Sequence, residues 1–135
     1  MNDRFKFRTW DKDNEEYTTD SHIILSSDGV VRYIEDSNWY EDVSEYCDVE
    51  FCTGVKDKNG ELIYEGDIVA LDEYGVYAVI EWDSQSGHWN IITNENTIYT
   101  FDNLYGYELI VEGDIHNDSI LLGENDETNW FRRLY

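Results

Sequence analysis

The stretch that decides the fold is residues 51–69, FCTGVKDKNGELIYEGDIV, which holds a turn, two strand-like runs and a second tight corner. Residues 57–60, DKNG, have the chemistry of a tight turn, because Asn and Gly tolerate positive φ and Asp bonds to nearby backbone. The apolar run LIY at residues 62–64 follows, and residues 65–67, EGD, interrupt it. Residues 68–71, IVAL, begin the next strand. The block therefore predicts a β structure with two closely spaced reversals.

The three glycines of this block, Gly54, Gly60 and Gly66, are interpreted as turn residues. A phosphate-binding loop would need a strand, a glycine-rich loop and the N-terminus of a helix. No helical pattern follows these glycines, so the sequence excludes that function.

The composition indicates one folded domain over residues 1–135. Aromatic residues make up 16% of the chain, which is too many for a disordered acidic protein. No apolar run is long enough for a membrane span, and MNDRFKFRTW at the start lacks the apolar core of a signal peptide. We therefore expect a cytoplasmic protein that does not bind membranes.

The charge is strongly negative, with 31 acidic and 9 basic side chains and a formal net charge of -22. No Lys or Arg occurs between Lys58 and Arg132, whereas sixteen carboxylates lie between Glu61 and Glu127. Nucleic-acid binding requires clustered Lys and Arg, so we expect no direct binding to nucleic acid. Such a chain should attract basic surfaces instead.

The order of short apolar runs and turns predicts a mostly β fold, a small barrel or sandwich with short irregular or helical turns. Strand-like runs occupy 5–10, 22–25, 30–34, 74–82, 88–93, 97–101 and 107–115. Residues 11–20 are predicted to form a loop, and residues 35–50 show no clear period. The absence of proline removes one common guard of strand edges, which favours self-association through strand pairing.

Cysteine and histidine do not form a metal-binding pattern. Cys47 and Cys52 are five positions apart, and His22, His88 and His116 are scattered. We expect no cofactor and no zinc site. The cysteines are interpreted as reduced thiols, with a disulfide across a turn as the alternative.

Carboxylate pairs are the remaining candidates for catalysis or metal binding. Residues 72–74 (DEY) and 81–83 (EWD) contain neighbouring acids, but solvated turn residues are the favoured interpretation. Asp11, Asp13 and Glu15 alternate as in an EF-hand loop, yet Glu16 and His22 stand where that loop needs Gly and Glu. The alternatives are a hydrolase or an irregular calcium site.

Three segments resemble the YopX-like family of phage and prophage proteins. The opening FKFRTWDK (residues 5–12) and the central TGVKDKNG…IYEGDIV (residues 53–69) are similar to the family pattern. ELIVEGDIHN (residues 108–117) resembles the closing segment, with the family glycine displaced or replaced near Val111. The resemblance covers residues 4–122 and leaves 123–135 as a C-terminal tail.

The resemblance implies a phage or prophage origin, an SH3-like barrel core and homo-oligomerisation, and it brings no catalytic residue. The family-motif residues that it marks as structural are Trp10, Gly54, Asp57, Gly60, Tyr64, Gly66 and Asp67.

Two hypotheses from different classes follow. The leading one is a phage-encoded, non-enzymatic interaction or structural protein that self-associates in the cytoplasm of a bacterial host. The alternative is an acidic decoy that mimics DNA and binds a basic host or phage protein, such as a DNA-binding or defence protein.

Overall fold

The computed structural model describes residues 3–19, 22–36, 39–71 and 75–123. In these ranges the chain is mostly β, and the regular helical segments are short 3₁₀ turns at Asp3–Phe5, Gly106–Glu108 and Ser119–Leu122. The strands are β1 Phe7–Asp11, β2 Glu16–Thr18, β3 Ile23–Leu25, β4 Val31–Asp36, β5 Trp39–Asp42, β6 Cys47–Lys56, β7 Leu62–Tyr64, β8 Asp67–Ala70, β9 Tyr77–Asp83, β10 His88–Thr93, β11 Ile98–Tyr99 and β12 Ile110–Asp114. The predicted mostly β fold of the small barrel or sandwich class is confirmed.

The backbone contacts divide the chain into two compact units. One unit contains the described residues of Met1–Lys6 and Phe51–Tyr135, and the other is Phe7–Glu50. The division falls inside β6. The single domain expected over residues 1–135 stays a prediction.

The first unit contains a five-stranded antiparallel sheet in the order β11-β10-β9-β8-β12, curled as a half-barrel. The strands β8 to β11 form a meander, and β12 returns to pair with β8. The hairpin predicted around residues 83–87 is present, with Trp82 opposite Trp89. The register of β12 on β8 shifts between Val111 and Gly113, which marks a β-bulge.

Two apolar clusters belong to this sheet. The first contains buried side chains that have no exposed surface: Ile63, Val69, Ala78, Ile80, Ile91 and Leu109. The second contains Ile68, Val79, Ile92 and Leu122. Neighbouring residues of one strand enter different clusters, as Val79 and Ile80 do, because successive side chains of a strand point to opposite faces. Both faces of the sheet are therefore covered along β8, β9 and β10.

The second unit contains the antiparallel strands β3, β4 and β5, and the pair β1 and β2. The hairpin predicted between residues 22–25 and 30–34 is present, with Ile24 opposite Arg32. Gly29 at its turn has φ +83°. This conformation favours glycine because a side chain would be strained there.

Several element boundaries differ from the sequence predictions. The predicted loop 11–20 contains β2, and the segment 35–50 contains β5 and the beginning of β6. The last strand begins at Ile110 instead of 107, because residues 106–108 form a 3₁₀ turn. These short strands exist through their ladder partners, such as Trp10 opposite Tyr17. Pairing between distant residues is not visible in a local apolar pattern.

Candidate functional site

The Asp57 side chain organises the central motif. It is buried, with 5% of its surface exposed. Its Oδ1 accepts hydrogen bonds from the backbone N–H groups of Asn59 at 2.8 Å and Glu61 at 2.9 Å. Its Oδ2 accepts the N–H of Val111 at 2.9 Å, from a residue 54 positions away. One carboxylate thus shapes its own turn and holds β12 to it.

The second corner of the motif is built in the same way. Asp67 is 2% exposed, and its Oδ2 accepts the backbone N–H of Tyr64 at 2.7 Å. Gly66 has φ +82°, its N–H donates to the Ile80 carbonyl, and its own carbonyl accepts from Ile115. The corner therefore connects β7, β9 and the end of β12 through backbone groups.

The other two motif glycines also have positive φ, but their surroundings differ. Gly54 has φ +81°, and a Cβ atom there would lie 3.0 Å from the Cβ of Arg4. Gly60 has φ +83° and open space around the position of a Cβ. Gly54 is therefore required by conformation and by close packing, and Gly60 by conformation alone.

Trp10 lies in the other unit and packs against Tyr17, which bonds a buried carboxylate that sequence reasoning missed. Its ring meets Tyr17 edge to face, with centroids 5.0 Å apart. Glu50, 4% exposed, accepts hydrogen bonds from Arg8 Nε at 2.9 Å and from the Tyr17 hydroxyl at 2.8 Å. Arg8 also lies over the Tyr17 ring, 4.5 Å from its centroid. Arg8 and Glu50 are 42 positions apart, so no local pattern could have paired them.

The predicted carboxylate pair Glu81 and Asp83 has two different environments. Burial raises the pKa of Glu81, and the Asp83 charge adds to the shift. The backbone N–H of Ser86 is the largest cause that lowers the pKa of Asp83, with further bonds from the Ser86 side chain and the Gln85 N–H. Asp83 therefore acts as a turn cap. The other predicted pair, in residues 72–74, lies outside the described residues.

In the EF-hand-like segment, the Asp11 carboxylate already accepts hydrogen bonds from neighbouring residues. Asp11 Oδ1 accepts the N–H groups of Asp13 and Asn14, and the Asn14 side chain bonds its Oδ2. These bonds, led by that from the Asn14 side chain, lower the pKa of Asp11. Within the described ranges, no group of three His, Cys, Asp or Glu residues has the geometry to hold a metal ion.

The cysteines are both free thiols, Cys47 half-buried and Cys52 buried. Burial is the largest cause that raises the pKa of each. A raised pKa keeps a thiol protonated and unreactive at neutral pH. Of the histidines, His22 lies beside the Tyr33 ring, His88 is exposed and His116 is half-buried.

An aromatic cleft of about 350 Å³ opens at the end of the first apolar cluster. Trp82, Trp89, Phe101 and Asp102 contribute to its lining. The two indole rings lie at 68° with centroids 5.2 Å apart. The sequence carried one signal for this pair, since Trp82 directly precedes the predicted turn at residues 83–87 and Trp89 is the second residue after it.

These features define an acidic, mostly β protein whose signature motif is used for turns and ladder contacts. The family model described as YopX protein matches residues 6–123, and the chain belongs to this family.

Two solved structures share the fold. Protein EF1440 from Enterococcus faecalis is 23% identical with a TM-score of 0.57, and the match covers 87% of this chain and 96% of that one. Protein yopX from Bacillus subtilis is 18% identical with a TM-score of 0.53, over 89% and 97% of the two chains. No curated protein matches the chain.

Among the residues that the structure describes, no helix has the length and apolar character needed to cross a membrane.

The contacts of Asp57 predict a large effect of its removal. Asp57→Ala leaves three backbone N–H groups without their acceptor, and we expect the free energy of unfolding to fall by about 3 kcal/mol. Urea denaturation followed by tryptophan fluorescence measures this change. Asp42→Ala is the matched control, because Asp42 is exposed and accepts one backbone bond from Ser44. Equal losses for the two variants would contradict the role of Asp57.

The pKa of Glu81 predicts a pH-dependent effect on stability. A carboxyl whose pKa is raised by folding weakens the folded state as pH rises through the interval between its ordinary value of 4.5 and its folded value. Glu81→Gln should therefore raise the melting temperature at pH 7 and lose this effect below pH 4.5. Asp83→Ala is the control with the opposite expected change. Because the pKa of Asp83 is lowered, its removal should reduce the melting temperature at pH 7. Calorimetry at several pH values tests both, and no gain for Glu81→Gln at pH 7 contradicts the prediction.

Proposed function

We propose that this chain is a phage-encoded, non-enzymatic protein that associates with itself and serves as an interaction or structural component. The observation that carries the proposal is a contrast between the two edges of the five-stranded sheet. One edge, β12, is blocked by its own chain, whereas within the described residues no further strand pairs with the other edge, β11. An open edge is a template for pairing with a second strand.

The β12 edge is protected in two ways. The bulge between Val111 and Gly113 interrupts the ladder. The backbone N–H of Val111 donates to the Asp57 carboxylate. The carbonyl of Leu109, next to the strand, accepts the backbone N–H of Lys58 at 2.9 Å. Bulges and covered backbone groups are common means of preventing edge pairing.

In the part of the chain that the structure describes, the β11 edge has neither a bulge nor a side chain bonded to its backbone. The N–H of Thr93 donates to the Thr97 carbonyl at 2.9 Å, and Ile92 faces Ile98. Antiparallel pairs alternate between bonded and non-bonded, so Ile98 directs its backbone N–H and carbonyl away from β10. Its side chain is 60% exposed. Neither proline nor a basic residue guards this strand.

Pairing of two β11 edges about a twofold axis would give a closed dimer, in which the same surface of each copy is used. The net charge of -22 opposes this association. Salt screens that repulsion, so association should strengthen as ionic strength rises.

We further propose that the protein acts in the cytoplasm of a bacterial host. The free thiols of Cys47 and Cys52 support this, because free cysteines persist in a reducing compartment.

The β11 edge predicts the effect of one substitution on assembly. Ile98→Lys places a charged guard on the open edge and should make the chain monomeric at concentrations where the unmodified protein dimerises. Ile120→Lys is the matched control, because Ile120 is 78% exposed on a 3₁₀ turn and the substitution changes the net charge equally. Sedimentation equilibrium in low and high salt measures the mass. A monomer in both salts, or equal dimerisation of the two variants, contradicts the proposal.

A second candidate function is a decoy for a basic DNA-binding protein. It is supported by the stretch between Lys58 and Arg132 that lacks Lys and Arg, and by the exposed carboxylates Glu95, Asp102 and Glu112 within it. Attraction between such a surface and a basic groove gives fast, salt-sensitive association.

The decoy function predicts competition with DNA. The tagged chain should retain a basic DNA-binding protein from bacterial lysate at low salt, and both high salt and added duplex DNA should release it. An unrelated acidic protein of similar net charge serves as the control bait. Capture that duplex DNA does not reverse, or equal capture by the control bait, would count against the decoy function.

A further inference from the structure

The aromatic cleft at the end of the β9–β10 hairpin is open to solvent and lined largely by aromatic side chains. Its volume of about 350 Å³ is at the lower end of the range for ligand pockets, which suits a single side chain better than a nucleotide. Val55, Trp89 and Phe101 form its apolar lining, and each also packs against the first apolar cluster. The floor of the cleft is therefore held by the core of the sheet.

The tryptophan pair supplies two walls of this cleft. Trp82 and Trp89 are directly opposite on β9 and β10 and meet edge to face. Such a pair stabilises the end of a hairpin by itself. Trp82 nevertheless remains 43% exposed, so part of its ring is accessible from the cleft.

The chemistry of these walls favours a cation. The face of an aromatic ring carries partial negative charge and attracts a Lys or Arg head group within about 6 Å of the ring centroid. The exposed Asp102 carboxylate stands at the same cleft, together with His88 and Thr100. Among the residues that the structure describes, no Lys or Arg contributes to the lining. The Asp102 carboxylate would repel an anionic ligand at this cleft.

We propose that this cleft binds a lysine or arginine side chain of a partner protein, with the charged group against the Trp82 and Trp89 rings and paired with Asp102. The partner is a protein with an exposed basic residue, since the negative charge of this chain attracts such surfaces. This site adjoins the end of β11, but Ile98 does not line it, and binding there does not depend on self-association.

The test is an NMR titration with small probes in buffer near physiological salt, which suppresses diffuse attraction to the acidic surface. The probes are Nα-acetyl-arginine amide, Nα-acetyl-lysine amide and the neutral Nα-acetyl-norleucine amide. The indole N–H signals of Trp82 and Trp89 are assigned with Trp82→Phe and Trp89→Phe. We expect both signals to shift and saturate with the cationic probes and to stay in place with norleucine.

Variants separate the rings from general charge attraction. Trp82→Ala should weaken binding of the cationic probes about fivefold or more, and Asp102→Asn should weaken it as well. Tyr107→Ala is the control, because Tyr107 is 66% exposed and stacks on Tyr105 instead of lining this cleft. Where Trp82→Ala does not fold, Trp82→Phe and Asp102→Asn give the same comparison.

Three outcomes overturn the proposal. Equal binding of norleucine means an apolar cleft without preference for cations. Equal binding by Trp82→Ala and the unmodified chain means that the acidic surface alone attracts the probes. Loss of dimerisation in Trp82→Ala means that the cleft holds a second copy instead of another protein. Ile98→Lys should bind the probes as the unmodified chain does, so failure of self-association and failure of this site are separate results.

Discussion

The buried Asp57 carboxylate is the constraint on which the arrangement of the first unit depends. A carboxylate buried without hydrogen-bond donors is costly, and this one accepts three backbone N–H groups. Two bonds set the turn before β7, and the third holds β12 against that turn. The same contact covers part of the β12 edge.

The acidity of the chain is partly a consequence of its turns. In the described parts of the chain, six aspartates accept backbone N–H groups of the residues that follow them: Asp11, Asp28, Asp42, Asp57, Asp83 and Asp114. Aspartate favours such turns because its short side chain reaches the backbone two or three residues ahead. These carboxylates therefore have a structural reason to be present, and any recognition of basic partners rests more on exposed acids such as Glu95 and Glu112.

The open edge and the aromatic cleft use different parts of one sheet. The edge is a line of backbone groups at β11, whereas the cleft is formed by side chains at the β9–β10 turn and by Phe101 and Asp102 just after β11. Ile98 is exposed at the edge and Trp82 is exposed at the cleft. By contrast, β8, which lies between β9 and β12, is buried at Asp67, Ile68 and Val69. A self-associated protein could thus present its clefts to another protein, because strand pairing at β11 does not require Trp82.

The sequence by itself determined the β class, the turn at residues 57–60 and the two hairpins whose turns lie at residues 26–29 and 83–87. Short-range chemistry decides these features, since glycine conformation, Asp capping and apolar alternation act over a few residues. Only the tertiary structure decided the strands β2 and β5, the burial of Glu50 under Arg8 and Tyr17, and the bond between Asp57 and Val111. Each of these depends on a partner far away in the chain or on ladder pairing, and the order in which strands meet is not encoded in any local pattern. For the same reason, the two tryptophans beside the turn indicate the Trp82–Trp89 pair in the sequence alone. The cleft is not visible there, because it forms only when folding brings Val55 and Phe101 to this pair.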